Sequence, residues 1–218
     1  MQPFMELQNL IYILQDDVVC TAHTAALYLK NIDFKGKIYL VGNSNMAQEL
    51  DEFGFNHTGL GPDPVEGMGQ TDFFNTELDP EINCVLVGFD PYINYKKMVK
   101  GSSYARREGS TGSIVSAVEV PSRRKPLLIG KPNTIMFDIL KKLHNIDPEK
   151  SIMIGDRCDT DIGFGNNCGM STLLVLTGAS SLDEVDGYTK SNDQDKKSLI
   201  PQYYTSKLGD FLNLVPSI

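Results

Sequence analysis

Three aspartates near the end of the chain have the type and spacing that best suit chemistry. Asp156, Asp159 and Asp161 follow the apolar residues 152–154 within seven positions. Carboxylates this close repel one another unless a cation or a basic group compensates their charge. Mg²⁺ binds through a few carboxylates together with water and phosphate oxygens, so this segment suits that ion. The alternative is an acidic loop that caps a helix beginning at Thr160 or Asp161.

A lysine lies 25 residues before the first of these aspartates, in the segment Ile129-Gly130-Lys131-Pro132. We predict a strand at 127–129 and a helix that begins at Pro132, which places Lys131 at the carboxyl end of the strand. Ligands bind at such ends in open α/β sheets. The ammonium group and the N-terminus of the following helix can together neutralise an anion. The alternative is a surface lysine in a Gly-Lys-Pro turn.

The elements that position these residues alternate between strand and helix. In the last third of the chain we predict strands at 127–129, 151–154, 172–176 and 203–204, and helices at 132–144, 161–168 and 206–214. This alternation predicts parallel βαβ units in a doubly wound sheet. Because the carboxyl ends of parallel strands share one edge, we expect Lys131, Asp156 and Asp161 to converge there.

The first part of the chain also has α/β character. We predict helices at 21–30, 43–53, through Lys100 and at 113–120, strands at 37–41 and 84–89, and loops at 56–81, 101–112 and, later in the chain, 191–198. Ser44 is the predicted N-cap of the second helix, and Gly54 lies just beyond its end.

Composition excludes several classes of function. The 218 residues are 41% hydrophobic and fit one large globular domain or two small ones. A net charge of −8 makes nucleic acid an unexpected partner, because an acidic chain repels phosphate backbones. No apolar stretch approaches the ~18–20 residues that span a bilayer, so no membrane segment is expected. The four cysteines form no Cys-x-x-Cys pair, and without an export signal we expect them to be reduced, in the cytoplasm.

The two motifs together resemble the third and fourth motifs of the haloacid dehalogenase (HAD) superfamily. These are Gly130-Lys131-Pro132 and the segment 155–161. Flanking segments resemble the phosphoglycolate and pyridoxal phosphate phosphatases, the 4-nitrophenylphosphatase-like group; they are residues 24–30, 59–62, 87–91, 111–119 and 203–210. The resemblance covers residues 20–104 and 110–214.

This resemblance implies a fold and a reaction. The fold is α/β: a C2-type cap, incomplete here, over 1–125, and the C-terminal half of a HAD-like Rossmannoid core over 126–218. The family hydrolyses phosphomonoesters through an aspartyl-phosphate with Mg²⁺. By resemblance, Asp156 is the metal ligand, Asp161 supports the metal shell and catalysis, and Lys131 pairs with the nucleophile and the phosphoryl group. The implied partner is a small phosphorylated metabolite, and a homodimer through the cap is expected.

The sequence departs from the family pattern in its first motif, a strand followed by DxDG. Asp-x-Asp occurs only at Asp159/Asp161 and at Asp193/Asp195, neither of which fits. We therefore expect the chain to begin just before the cap, without the nucleophile. The alternative is that residues 10–19 form a degenerate first motif, with Gln15 in the place of the nucleophile.

A second departure lies in the cap. Only ten residues, 102–111, precede Gly112, whereas the family places a strand and a specificity loop there. At ~3.3 Å per residue this stretch is too short for a strand, a loop and a second strand. A splice form, a damaged gene and an incomplete gene model all fit both departures. The expected function is a family phosphomonoester hydrolase whose own turnover is at background. The alternative is a non-catalytic Mg²⁺- or phosphate-binding regulator that pairs with a full-length paralogue.

Overall fold

Two parallel sheets organise the molecule. The structure is a computed structural model, and it describes residues 18–61, 77–106, 111–113, 123 and 125–213. Every strand pair in both sheets is parallel, and helices connect most of the strands. The expected α/β class is therefore confirmed. Within the described residues, no helix has both the length and the apolar character needed to cross a membrane.

The N-terminal sheet has four strands in the order β2-β1-β3-β4. Its elements are α1 (Thr21–Asn31), β1 (Lys37–Val41), α2 (Ser44–Glu52), β2 (His57–Thr58), β3 (Ile82–Val87), α3 (Tyr95–Ala105) and β4 (Thr111–Ser113). Apolar side chains from α1, α2, β1 and β3 form its largest core cluster, in which Ala26, Ile38 and Leu40 are completely buried. Burial of these side chains is the main stabilising contribution to this region.

The N-cap of α2 differs from the prediction by one residue. The cap is Asn43 rather than Ser44, because Asn43 has extended backbone geometry and its side chain accepts a hydrogen bond from the Met46 amide at 3.1 Å. After the helix, Gly54 has φ +74°, a left-handed conformation that glycine adopts without strain.

The C-terminal sheet has three strands in the order β5-β6-β7. Its helices and strands are α4 (Ile135–His144), β5 (Ile152–Gly155), α5 (Gly163–Asn167), β6 (Ser171–Val175), α6 (Leu182–Lys190), α7 (Gln194–Lys197) and β7 (Tyr203–Thr205). A π-helical turn, Cys158–Ile162, leads into α5, and short 3₁₀ helices span Pro148–Lys150 and Leu208–Asn213. The strands at 151–154, 172–176 and 203–204 are thus confirmed to within one residue at each end.

The predicted strand at 127–129 is wrong. These residues join neither sheet within the described part of the chain. Ile129 is instead buried in the apolar cluster of the N-terminal region, and Leu128 is 51% exposed. Burial of the Ile129 side chain in that cluster takes the place of the ladder hydrogen bonds that a strand would have made. The helix predicted from Pro132 accordingly begins only at Ile135.

Three predicted loops and helices also have different bounds. The loop at 191–198 contains the short helix α7, which Asp193 caps by accepting a hydrogen bond from the Asp195 amide at 3.0 Å. The helix that was expected to stop at Lys100 continues to Ala105. Ser113 ends β4, and the rest of the helix predicted at 113–120 lies outside the described residues.

Candidate active site

Asp161 is buried and bound by the loop that carries it. Its Oδ2 accepts hydrogen bonds from the amides of Asp156 and Arg157, both at 3.2 Å, and only 6% of the residue is exposed. Gly155 permits this close approach, because a Cβ there would lie 2.3 Å from the Asp161 Cβ. The carboxylate therefore closes the loop between β5 and the π-helical turn.

Lys131 meets the other oxygen of the same carboxylate. Its Nζ donates to Asp161 Oδ1 at 2.8 Å, and the lysine side chain is 38% exposed. The turn before α4 places the lysine, since the amide and the side chain of Asn133 both donate to the Gly130 carbonyl. The expected convergence of Lys131 and Asp161 is thus present, although a loop rather than a strand delivers the lysine.

Asp156 follows β5 and contacts the loop that follows β6. Its Oδ2 accepts a hydrogen bond from the Ala179 amide at 3.1 Å, and its carbonyl accepts one from the Ser180 amide at 2.9 Å. A Cβ on Gly178 would lie 2.0 Å from Asp156 Oδ2, so glycine is required at this approach. We call residues 177–181 the β6 loop. Sequence reasoning missed it, although its position after a parallel strand was a usable signal.

Asp159, the third aspartate of the motif, is paired with Arg157. The guanidinium donates two hydrogen bonds to the carboxylate, at 3.0 and 2.6 Å. This contact lowers the pKa of Asp159 and raises the pKa of Arg157. The pairing compensates one of the three negative charges, which leaves Asp156 and Asp161 as the acids of the candidate site.

The two remaining aspartates, Asp156 and Asp161, are of a residue type that binds Mg²⁺. Both oxygens of Asp161 accept hydrogen bonds, whereas the bond shown to the Asp156 carboxylate reaches Oδ2. Within the described residues, no group of three or more His, Cys, Asp or Glu side chains is arranged to hold a metal. Mg²⁺ commonly binds through one or two carboxylates and takes its other ligands from water and phosphate, so this donor set suits it.

A cavity of about 510 Å³ adjoins Lys131. It lies where residues 128–133 approach the carboxyl ends of β1 and β3, and its lining includes Asn43, Met46 and Phe89. Lys131 is the only charged residue among the described residues that line it. Asp156 and Asp161 do not line the cavity, so Lys131 connects it to the aspartates.

The structure combines parallel α/β topology with a Lys131–Asp161 ion pair next to Asp156. The HAD-hydrolase-like family model matches residues 128–202. Human glycerol-3-phosphate phosphatase is 35% identical over 221 residues, covering 90% of this chain and 68% of that enzyme.

Solved structures show the same fold. A p-nitrophenyl phosphatase from Archaeoglobus fulgidus superimposes with a TM-score of 0.72 at 18% identity, covering 94% of this chain and 77% of that one. A glycerol phosphate phosphatase from Mycobacterium tuberculosis, in complex with magnesium, gives a TM-score of 0.64 at 20% identity, covering 89% and 57%. The chain therefore belongs to the HAD-like phosphatases, a family of phosphomonoester hydrolases that includes the glycerol-3-phosphate and phosphoglycolate phosphatases.

Proposed function

We propose that this chain carries the metal- and phosphate-binding part of a Mg²⁺-dependent phosphomonoester hydrolase. The observation that carries the proposal is the partly exposed Lys131–Asp161 ion pair beside Asp156, next to a cavity in which Lys131 is the one charged residue among the lining residues that the structure describes. A phosphomonoester placed at Lys131 would have its organic part in that cavity. The substrate is a small phosphorylated metabolite.

Each residue has a separate role in this proposal. Asp156 holds the metal, and Asp161 orients Lys131 through the 2.8 Å contact between Nζ and Oδ1. Lys131 binds phosphoryl oxygens, and its exposed fraction leaves room for an anion. When bound, Mg²⁺ neutralises charge on the oxygens of the transferring phosphoryl group.

A specific observation favours a second function, in which the 218-residue chain binds Mg²⁺ and phosphate without turnover. The sequence has no strand followed by DxDG that could supply the nucleophile and the acid/base. Loss of a covalent nucleophile has cost other enzymes ~10⁶ in kcat. In this form the chain would act as a regulator that pairs with a complete paralogue.

The domain division, assembly and location belong to the same proposal. The two separate sheets support a cap over 1–125 and half of a core over 126–218. Phe89, Tyr92 and Ile93, each at least half exposed, support a homodimer through the cap. We place the chain in the cytoplasm. Light scattering on the native chain and on Phe89→Asp tests the dimer, which the aspartate should dissociate.

The activity test compares the purified 218-residue chain with Asp156→Ala. With Mg²⁺ and p-nitrophenyl phosphate we expect equal rates, both at background. A Mg²⁺-dependent rate that Asp156→Ala abolishes would show that the chain is itself a hydrolase and would overturn the non-catalytic form.

Binding is measured separately, by adding inorganic phosphate with Mg²⁺ to the ¹⁵N-labelled chain and following backbone amide shifts. We expect changes confined to the amides near Lys131, Asp156 and Asp161. Lys131→Met should remove the phosphate response and leave the Mg²⁺ response, because the lysine contacts the anion. Unchanged shifts in the native chain would refute the proposed site.

A further inference from the structure

Ser180 joins the β6 loop to the backbone on both sides of Arg157, the residue that follows Asp156. The residue is 7% exposed, its amide donates to the Asp156 carbonyl at 2.9 Å, and its Oγ accepts from the Cys158 amide at 3.0 Å. The adjacent Ala179 amide donates to Asp156 Oδ2 at 3.1 Å. Ala179 and Ser180 therefore bind the Asp156 carboxylate and the backbone on both sides of Arg157.

Helix α6 begins directly after Ser181 and carries Glu184. Tyr188 donates to Glu184 Oε1 at 2.5 Å. The pKa of Glu184 is lowered, chiefly by this hydrogen bond and next by the Ser180 hydroxyl.

We propose that Ser180 is a positioning residue. By binding the Cys158 amide, its hydroxyl keeps the β6 loop, and with it the Ala179 amide, against the Asp156 carboxylate in the geometry that binds Mg²⁺. This inference rests on the proposed function, because it takes Asp156 as the metal ligand. The hydrogen bond from Ala179 fixes Oδ2 and leaves Oδ1 to the ion. Partners that orient a ligating carboxylate raise metal affinity, because the ligand loses less freedom when the ion binds.

The chain provides a matched control in the next residue. Ser181 caps α6, where its Oγ accepts from the Glu184 amide at 3.4 Å, and the described contacts of its side chain do not reach the loop of Asp156. Ser180→Ala and Ser181→Ala therefore remove the same atom from adjacent positions. Ser180→Ala removes the bond to the Cys158 amide that holds the β6 loop against the loop of Asp156, and Ser181→Ala weakens only the helix cap.

The experiment titrates Mg²⁺ into the ¹⁵N-labelled 218-residue chain and follows the amides of residues 155–162. We expect Ser180→Ala to raise the Mg²⁺ Kd about 10-fold, at the lower end of what loss of such partners costs. Ser181→Ala should lower the urea midpoint of unfolding and leave Kd unchanged, so a merely structural loss is distinguished from a positioning loss.

If the native chain binds Mg²⁺, Asp156→Asn does not, and Ser180→Ala binds like the native chain, the positioning role is refuted and the proposed function stands. If the native chain and Asp156→Asn respond identically, Asp156 is not the ligand, and the proposed function fails together with this inference. Should Ser180→Ala unfold, Ser180→Cys, which replaces the hydroxyl with a weaker acceptor, decides the question by the same measurement of Kd.

Discussion

Two lysine–aspartate pairs, one in each sheet region, differ in burial and so in use. In the N-terminal region, Lys97 Nζ donates to Asp90 Oδ2 at 2.5 Å, and the two side chains are 0% and 1% exposed. In the C-terminal region, the corresponding distance between Lys131 and Asp161 is 2.8 Å, with 38% and 9% exposed. The chemical groups are the same, but only the second pair can be reached by a ligand.

The buried pair serves the fold. Asp90 Oδ1 also accepts from the Tyr92 amide at 2.8 Å, and Asn94 accepts from the Lys97 amide at 3.0 Å, so the pair holds the turn between β3 and α3. Its charges compensate each other away from water, and neither is available to an outside group. Lys131, by contrast, keeps an exposed surface beside a cavity. The two pairs consist of the same residue types. Their burial therefore distinguishes the structural ion pair from the candidate functional one.

The largest expected effect comes from breaking the buried pair. Lys97→Met leaves the Asp90 carboxylate charged and unpaired in the interior, and should lower the free energy of unfolding by about 3–5 kcal/mol. Lys131→Met should lower it by less, because the Lys131 side chain is partly exposed and the Asp161 carboxylate keeps its hydrogen bonds from the Asp156 and Arg157 amides. Urea unfolding of both variants gives the comparison.

A double variant, Lys97→Met with Asp90→Leu, provides the control. It should recover part of the loss, because no buried charge is left unpaired. Equal destabilisation by Lys97→Met and Lys131→Met would contradict the distinction between the two pairs.

The next effect concerns how closely the β6 loop packs on Asp156. In Gly178→Ala the new methyl group would overlap the Asp156 carboxylate, so we expect a loss of about 1–3 kcal/mol in stability and weaker Mg²⁺ binding. Gly187→Ala is the matched control, since nothing lies within 4 Å of that position in α6. Alanine there should stabilise the helix by about 0.5–1 kcal/mol. Unfolding curves and Mg²⁺ titrations of both variants test this, and unaltered Mg²⁺ binding in Gly178→Ala would count against the close contact.

The smallest expected effect is a change in stability with pH that depends on Tyr188 in α6. The hydrogen bond to Glu184 raises the pKa of Tyr188 to about 12, from an ordinary value of 10.0. A raised pKa means that the contact stabilises the fold fully below about pH 10 and that this contribution is lost as the pH rises towards 12. The stability difference between the native chain and Tyr188→Phe should therefore shrink over that interval.

Absorbance of the tyrosinate at 295 nm gives a direct reading of the same group. Tyr188→Phe should remove a component that titrates near pH 12. If the native titration curve lacks this late component, the hydrogen bond to Glu184 does not persist in solution.

Much of the candidate site was predictable because its residues follow strands in sequence. Asp156 and Asp161 lie directly after β5, so the apolar strand and the acids beyond it were visible in one segment. The β6 loop was not predicted as part of the site, although it bonds directly to Asp156. Its contribution comes from two backbone amides and a close glycine contact, and backbone donors carry no signature of residue type.

The sequence by itself determined the alternation of strands and helices, the parallel α/β class, and which acids and which lysine form the candidate site. The spacing of apolar residues and the residue types can be read within short segments of the chain. Only the tertiary structure decided that residues 127–129 join neither of the sheets in the described part of the chain, that Arg157 compensates Asp159, and that Lys97 is completely buried. Each of these depends on what lies opposite a side chain in space. Ile129 packs into the apolar cluster of the N-terminal region, and no pattern within its three-residue segment specifies that partner.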